Sequence, residues 1–449
     1  MAETIKIKKG LDIPIHGAAE KRISDARDIH LYAVKPTDFV GLTPRLLVEE
    51  GEAVHLGDAL FCDKKEERIR FTSPVDGLVK AIVRGEKRKL LAVVIEEKEP
   101  QQAVFDIPKN GDEIKTLMLR CGLWTAMRQR PFGVIANPDE RPKAIFVSAF
   151  DSAPLSPDYD FALQGKEEWF SKGLEALSQL THGKVHVSFR PGQSLAKKLS
   201  TLNSQLSTHN FKGPHPAGNV GTQIAHIDPI NKGEVVWTMQ PQDVVVLGEL
   251  VSTGRYRPEK VIAVAGPQVP NPQYYRIRSG ACVASLIPTL ENHRIISGNV
   301  LCGTQIEKDG FIGAYDSLIS IIPEGNYYDF MGWLMPGFKK YSFSRTFLSG
   351  FLTPLNAHLP SYQFDTNTHG DQRPLVFTGD FERVFPFDIY PTQLIKACII
   401  GDIDLMENLG IYEVEPEDFA LCEFIDTSKT EIQQIIREGL ETLRKEVMG

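Results

Sequence analysis

Hydrophobic positions in the first hundred residues come in short bursts with a two-residue period. Ala53-Val54, Ala59-Leu60-Phe61, Leu78-Val79 and Ala81-Ile82-Val83 are too short for helices and read as strands. Between them, Gly51-Glu52 and Gly57-Asp58 predict tight turns, because glycine tolerates the positive φ that such turns need. Ser73-Pro74-Val75-Asp76-Gly77 then predicts a return into the next strand. The pattern is that of a small two-sheet sandwich. It closes with a strand near Leu90-Leu91-Ala92-Val93-Val94-Ile95 that runs into a charged linker ending at Pro100, which places a boundary near residue 100.

Beyond residue 112 the period changes. Ile114, Leu117, Met118, Cys121, Leu123 and Trp124 form a helical stripe, and strands and helices then alternate, which predicts a mainly parallel sheet in a Rossmann-like α/β domain over 101–258. Its expected strands are Ala144-Ile145-Phe146-Val147-Ser148, Lys184-Val185-His186-Val187-Ser188 and Asp243-Val244-Val245-Val246-Leu247, with helices near 166–180 and 194–205. Short strands, frequent Gly turns and one helix at 281–290 suggest a β-grasp-like module over 259–330. From 331 to 449 aromatic loops lead into helices near 391–410 and 428–447, the last supported by Ile432, Ile435, Ile436, Leu440 and Leu443. The fold class is multidomain α/β (α+β).

Composition narrows the function. No apolar run approaches the roughly 18 to 20 residues that span a bilayer, and the first residues, charged and without an apolar core, do not resemble a secretory signal. A cytoplasmic location is expected. With a net charge of −8 and no basic stripe, nucleic acid is an unsuitable partner. The six cysteines, Cys62, Cys121, Cys282, Cys302, Cys398 and Cys422, form no C-x-x-C pair and are expected as buried thiols.

The first domain has the pattern of a lipoyl/biotinyl carrier, in which one lysine at a hairpin tip takes the cofactor. Asp63-Lys64-Lys65 lies in the corresponding hairpin, but Glu66, Glu67, Arg68 and Arg70 crowd it, and Lys64 stands ten residues before Pro74, more than the usual spacing. A solvated charge run on a docking module is the simpler expectation.

Along essentially its whole length the chain resembles NqrA, one component of the bacterial sodium-translocating NADH:quinone oxidoreductase, Nqr. The blocks that carry the resemblance are Ile7-Lys8-Lys9-Gly10-Leu11-Asp12-Ile13-Pro14-Ile15, Gly122-Leu123-Trp124-Thr125-Ala126-Met127-Arg128-Gln129-Arg130-Pro131-Phe132, Gly213-Pro214-His215-Pro216-Ala217-Gly218, Ile296-Ser297-Gly298-Asn299-Val300-Leu301 and Gly332-Trp333-Leu334-Met335-Pro336-Gly337. More distantly the layout is similar to the flavin-binding subunits of complex I and Rnf. Those relatives carry a Gly-rich phosphate loop, an acidic Gly-Ala-Glu-Cys-Glu-Pro segment and iron-sulfur cysteines. This chain has instead Cys121 to Phe132 with one glycine, Ser148-Ala149-Phe150-Asp151-Ser152-Ala153-Pro154, and only Cys398 and Cys422. The resemblance implies an SLBB-type third module. It also implies a protein with no redox cofactor of its own, with FMN, FAD and iron-sulfur centres on the other Nqr subunits. The chain would then be a peripheral component at the cytoplasmic face of the inner membrane, held by the membrane subunits, NqrB first among them. No acidic residue stands in an apolar segment where a sodium path would need oxygen ligands.

Trp124, Arg128, Arg130 and Phe132 are the candidate quinone-facing residues, since a quinone head group needs a flat apolar slot with donors to its carbonyls. The alternative is that Trp124 and Phe132 fill a vacated flavin cavity while the arginines form surface ion pairs. Tyr327, Tyr328, Phe330, Trp333, Phe338, Tyr341, Phe343, Phe347 and Phe351 form an aromatic-rich stretch suited either to protein contacts or to a packed linker. His209, His215 and His226 lack metal-ligand spacing, and Gly218-Asn219-Val220-Gly221-Thr222 reads as a turn rather than a dinucleotide fingerprint. Two further readings remain: a free-standing flavin-dependent NADH dehydrogenase, and a carrier modified at Lys64 or Lys65.

Overall fold

The computed structural model describes residues 4–26, 28–98, 103–199, 205–287, 291–332, 334–338, 340–349 and 362–448. Two small sheets make the N-terminal sandwich. Leu31–Val34, Leu90–Glu97, Gly77–Arg84 and Ala53–Val54 form one; Pro44–Leu46, Ala59–Asp63 and Arg70–Thr72 form the other. Leu60, Phe61, Phe71, Val79, Val93 and Ile95 fill the space between them, and Phe61 stacks on Phe71 at 4.6 Å. Gly51 and Gly57 turn at φ 84° and 92°, the conformation that makes them legible as turns. The bursts at Leu78-Val79 and Ala81-Ile82-Val83 are halves of the single strand Gly77–Arg84, whose register slips between Val79 and Ala81 in a bulge.

Within the first hundred residues, two strands are lent to other sheets. Thr4–Lys6 runs parallel to Leu206–Lys212 at one edge of a seven-stranded sheet, and Glu20–Asp25 runs parallel to Gln273–Arg278 at one edge of a six-stranded sheet. The linker expected to end at Pro100 falls in 99–102, outside the described residues.

The seven-stranded sheet runs in the order Thr4–Lys6, Leu206–Lys212, Lys184–Phe189, Ala144–Ser148, Val236–Thr238, Arg128–Arg130, Val134–Ile135. The first five are parallel, Arg128–Arg130 runs antiparallel to Val236–Thr238, and Val134–Ile135 runs antiparallel to Arg128–Arg130. One expected strand is wrong: Asp243-Val244-Val245-Val246-Leu247 lies inside the helix Pro241–Thr253. Pro241 sits in its first turn, Asp243 favours the positive helix start, and Gly254 ends it at φ 71°. Its valines face apolar neighbours nearly all round, so the helix carries a continuous apolar run that looks like a buried strand. The strand at that place in the sheet is Val236–Thr238. The helix expected over 194–205 spans only Ser194–Lys198; 200–204 lie outside the described residues, and the chain becomes the strand Leu206–Lys212 immediately after them.

Pro241–Thr253 crosses Glu167–Ser178 at two glycines. A Cβ on Gly248 would lie 1.8 Å from the Trp169 carbonyl oxygen, and one on Gly173 would lie 2.0 Å from that of Val244. The helices therefore meet backbone to backbone. On the opposite face Val220–Ile227 packs through Ile224 onto Ala144, Phe146 and Val236.

The six-stranded sheet is ordered Thr304–Ile306, His293–Ser297, Leu318–Pro323, Glu259–Ala265, Gln273–Arg278, Glu20–Asp25. No helix covers 281–287; Ala281 and Cys282 instead make isolated bridges to Tyr32 and Phe311, and 288–290 lie outside the described residues. Bridging across modules overrides the apolar spacing that suggests a helix there.

In the C-terminal domain the helix expected over 391–410 is two, Pro391–Ile400 and Ile403–Asn408, separated at Gly401 with φ 70°. Ile432–Met448 presents Ile432, Ile436, Leu440 and Leu443 to a core that includes Phe385, Leu394, Ile395 and Phe419. The aromatic stretch divides. Tyr328, Phe330 and Phe338 are exposed, whereas Tyr341 packs against Tyr362, Phe364 and Phe424. Trp333 and Phe351 lie outside the described residues.

A candidate ligand cavity at the strand switch point

After Ala144–Ser148 the chain adds Lys184–Phe189 on one side, and Val236–Thr238 later completes the other. The connections therefore diverge where these two strands end, which is where open α/β sheets hold ligands. A cavity of about 380 Å³ lies there. Ser148, Phe150 and Asp151 come from the end of one strand, and Thr238, Met239 and Gln240 from the end of the other. The β-grasp module contributes Asn299, Cys302, Tyr315 and Asp316, and the helical domain contributes Glu415, Glu417, Gln433 and Arg437. Its volume is that of a small-molecule site.

Burial raises the pKa of both Asp151 and Asp316. The Asp151 carboxylate accepts the Ala153 amide at 2.8 Å, and that of Asp316 accepts the Ser297 hydroxyl at 2.6 Å. Burial pushes His215 down to about 4, and its Nδ1 lies 3.0 Å from Ser152 Oγ. The cavity thus offers hydrogen-bonding groups beside apolar Phe150 and Met239.

The four residues singled out by sequence separate here. Trp124 is 1 % exposed, donates its indole N–H to the Ala136 carbonyl at 2.8 Å, and meets Trp237 edge-on at 5.4 Å. Phe132 leaves the sheet and enters the helical domain's core beside Tyr412. Arg130 is buried among Asp418 at 3.0 Å, Glu417 at 2.5 Å and Glu415 at 3.2 Å. Arg128 lines the cavity; it pairs with Glu415 at 2.9 Å and lies over the Tyr315 ring at 5.2 Å. Surface ion pairs are the simpler expectation for these arginines, but the carboxylates that meet them come from the turn Pro416–Phe419 and its cap Glu415; Arg130 is buried among them and Arg128 is left partly exposed. Sequence spacing cannot supply that partner, which lies 287 positions from Arg128. The local signal is Glu415-Pro416-Glu417-Asp418, in which Glu415 and Asp418 cap each other's backbone.

We expect Trp124→Phe to cost about 1 to 3 kcal/mol, since it leaves the buried Ala136 carbonyl without its donor and opens a small void. Chemical denaturation of the variant checks this.

The arginine cluster also predicts a pH dependence. Burial, with Glu417 and Glu415 adding to it against the pull of Arg130, raises Asp418 to about 7. Glu415 is held below its usual value because Arg130, Arg128 and Arg437 outweigh its burial. A carboxyl raised from about 3.9 contributes stability that is full below that pH and is lost as pH rises through about 7. Asp418→Asn should therefore gain melting temperature relative to the parent between pH 5 and 8. A difference constant across that range would contradict the assignment.

The remaining sequence candidates are accounted for locally. The Lys64 amide donates to Thr43 O, and Arg68 in the same tip pairs with Glu66 and reaches Asp139 of the α/β domain. That charge run ties the sandwich to its neighbour. His209 meets His186 at 2.9 Å, His215 meets Ser152 and His226 meets the Thr222 carbonyl, so the three candidate histidines have separate partners. Among the described residues no group of His, Cys, Asp and Glu suits a metal ion. Gly218 is in a turn as expected, but Val220 to Thr222 are the first turn of the helix Val220–Ile227. Gly122 is a helix cap whose Cβ position lies 2.3 Å from Thr72 Oγ1, and Leu123–Ala126 coils into a tight helical turn behind it.

A barrel-sandwich domain, a Rossmann-like sheet with its cavity at the switch point, a β-grasp module and a helical domain define a multidomain α/β protein with a small-molecule-sized cavity at its domain seam. Family models described as NqrA N-terminal barrel-sandwich hybrid domain, NqrA second alpha/beta domain and NQRA C-terminal domain match residues 5–98, 109–256 and 261–308. The NqrA components of Na(+)-translocating NADH-quinone reductase from Yersinia pseudotuberculosis serotype O:1b and Neisseria meningitidis serogroup B are each 40% identical to it, over 98% of this chain and 100% of theirs. The one from Serratia proteamaculans is 39% identical with the same coverage. A solved NAD+-reducing [NiFe]-hydrogenase chain is similar at TM-score 0.39 and 11% identity, over 75% of this chain and 61% of that one, a likeness too slight to argue from. The chain belongs to the NqrA family of Na(+)-translocating NADH-quinone reductases. Among its described residues no helix is long and apolar enough to cross a membrane.

Proposed function

We propose that this chain is the peripheral NqrA component of a sodium-translocating NADH:quinone reductase, held at the cytoplasmic face of the membrane by its partner subunits, NqrB foremost. In this reading the chain bears no redox cofactor; NADH, flavin and iron-sulfur chemistry belong to other subunits, and this one provides docking and receives a quinone head group. The observation that carries the reading is the switch-point cavity, with Arg128 laid over Tyr315 and the carboxyls of Asp151 and Asp316, whose pKa burial raises, on its wall. Arg128 would donate to a quinone carbonyl while Met239 and Phe150 flank the ring. Arg130 and Phe132 would act through the walls, holding the domain seam in place, while Trp124 packs behind them in the α/β core.

Calorimetric titration of the purified chain with a short-chain quinone, with an absorbance spectrum of the same sample, tests this. Colourless protein with one saturable site, weakened about tenfold by Arg128→Gln and unchanged by Trp124→Phe, is expected. Absence of binding would leave docking as the sole role, and a bound flavin spectrum would overturn the cofactor-free reading.

A further inference from the structure

The start of the helix Val220–Ile227 is occupied in an unusual way. A Cβ on Gly221 would lie 2.4 Å from Asp418 Oδ1 and 2.5 Å from Arg130 Nη1, so the Arg130–Asp418 pair lies directly against the first turn. The N-cap residue Asn219 makes no side-chain capping hydrogen bond there. Asp418 comes from the helical domain, its side chain is fully buried, and its Oδ1 accepts no hydrogen bond. The α/β domain by itself brings together two guanidiniums, Arg128 and Arg130, and a helix N-terminus. These are the parts of an anion site. Glu415, Glu417 and Asp418 fill it from another domain, with Arg437 as a third cation at the cavity wall. At pH 8, above the value of about 7 to which Asp418 is raised, three cations face three carboxylates, with no positive charge to spare for an incoming phosphate.

We propose that the Glu415-Pro416-Glu417-Asp418 turn is a specificity element, a built-in anion at the helix start where an open α/β sheet would take phosphate, so that the adjoining cavity excludes phosphate-bearing ligands and admits an uncharged ring. The identity of the admitted ring rests on the quinone reading above; the exclusion does not. The turn also explains Gly221, where a larger residue would displace the pair.

The test uses the full chain at pH 8 and inorganic pyrophosphate as the probe. The parent should show no calorimetric binding in the millimolar range. Glu417→Gln with Asp418→Asn frees two positive charges beside the helix start and should bind pyrophosphate at least tenfold more tightly. Glu417→Gln alone, at the half-exposed end of the turn, should give a smaller gain with the fold undisturbed. Glu66→Gln with Asp139→Asn frees Arg68 on the surface by the same charge change, away from any helix start, and should give no comparable gain. Pyrophosphate binding by the parent, equal gains from the two double variants, or no gain in a folded Glu417→Gln chain would each overturn the proposal. Quinone binding is measured on the same samples. A parent that binds neither probe, with a double variant that gains pyrophosphate, would sink the quinone reading and leave the plug standing.

Discussion

Gly248→Ala is expected to destabilise the α/β domain by about 3 kcal/mol or more, against the sign that helix propensity alone would give. In an exposed helix interior, replacing glycine by alanine gains roughly 1 kcal/mol, because glycine loses more backbone freedom on folding. Here the added methyl would sit 1.8 Å from the Trp169 carbonyl oxygen and 2.8 Å from the Gly173 amide nitrogen, both backbone atoms of the facing helix. Backbone cannot swing aside as a side chain can. The two helices would have to separate, loosening Phe170, Leu174 and Leu177 on one and Val244 and Leu247 on the other, all buried. Gly370→Ala is the control, since nothing lies within 4 Å of the added atom there. Urea denaturation followed by tryptophan fluorescence should show a clear drop in midpoint for Gly248→Ala and none for the control. A variant as stable as its parent would mean that the helices do not cross this closely.

How much of the fold is legible in the chain follows from the range of the forces involved. The sandwich is readable because its punctuation is local: Gly51 and Gly57 adopt positive φ for reasons internal to their turns. The helix Ile432–Met448 is readable because one face is apolar at the helical period. Asp243 to Leu247 misleads because a helix buried on nearly all sides has no period to display, and the markers that separate it from a strand, Pro241 and Gly254, lie outside the apolar run. Thr4–Lys6 and Glu20–Asp25 cannot be assigned to their sheets in advance, since an edge strand's partner is fixed by where distant elements dock.

The site is half legible for the same reason. The segment from Gly122 to Phe132 does stand at the seam, yet only Arg128 of its four candidates reaches the cavity. Where the others point is decided by Trp237, Tyr412 and the acidic turn, which come from elsewhere in the chain. Asp151, just past the end of the strand Ala144–Ser148, does line the cavity, so that strand end is a better pointer than the aromatics.

Removing the cation at the centre of that seam should have the largest electrostatic effect in the molecule. Arg130→Met is expected to cost about 3 to 5 kcal/mol at pH 8, because it leaves Glu415 and Asp418 buried with less positive charge to face. The side chain of Asp418 has no water to turn to, and Arg128 alone cannot reach both carboxylates, being paired with Glu415. The loss should fall on the docking of the helical domain, whose core also receives Phe132, so that limited proteolysis cuts within or before that domain sooner than in the parent. Protonation offers a partial escape: carboxyls deprived of Arg130 bind protons more readily, so the destabilisation should be smaller at pH 5 and grow as pH rises toward 8. Adding Glu415→Gln and Asp418→Asn to Arg130→Met should then recover much of the stability at pH 8, since neutral groups of the same shape cost far less to bury than unpaired charges. Equal losses at pH 5 and pH 8, with no recovery in the triple variant, would mean that Arg130 acts by its packing and that the seam is held by Phe132 and its apolar neighbours rather than by charge.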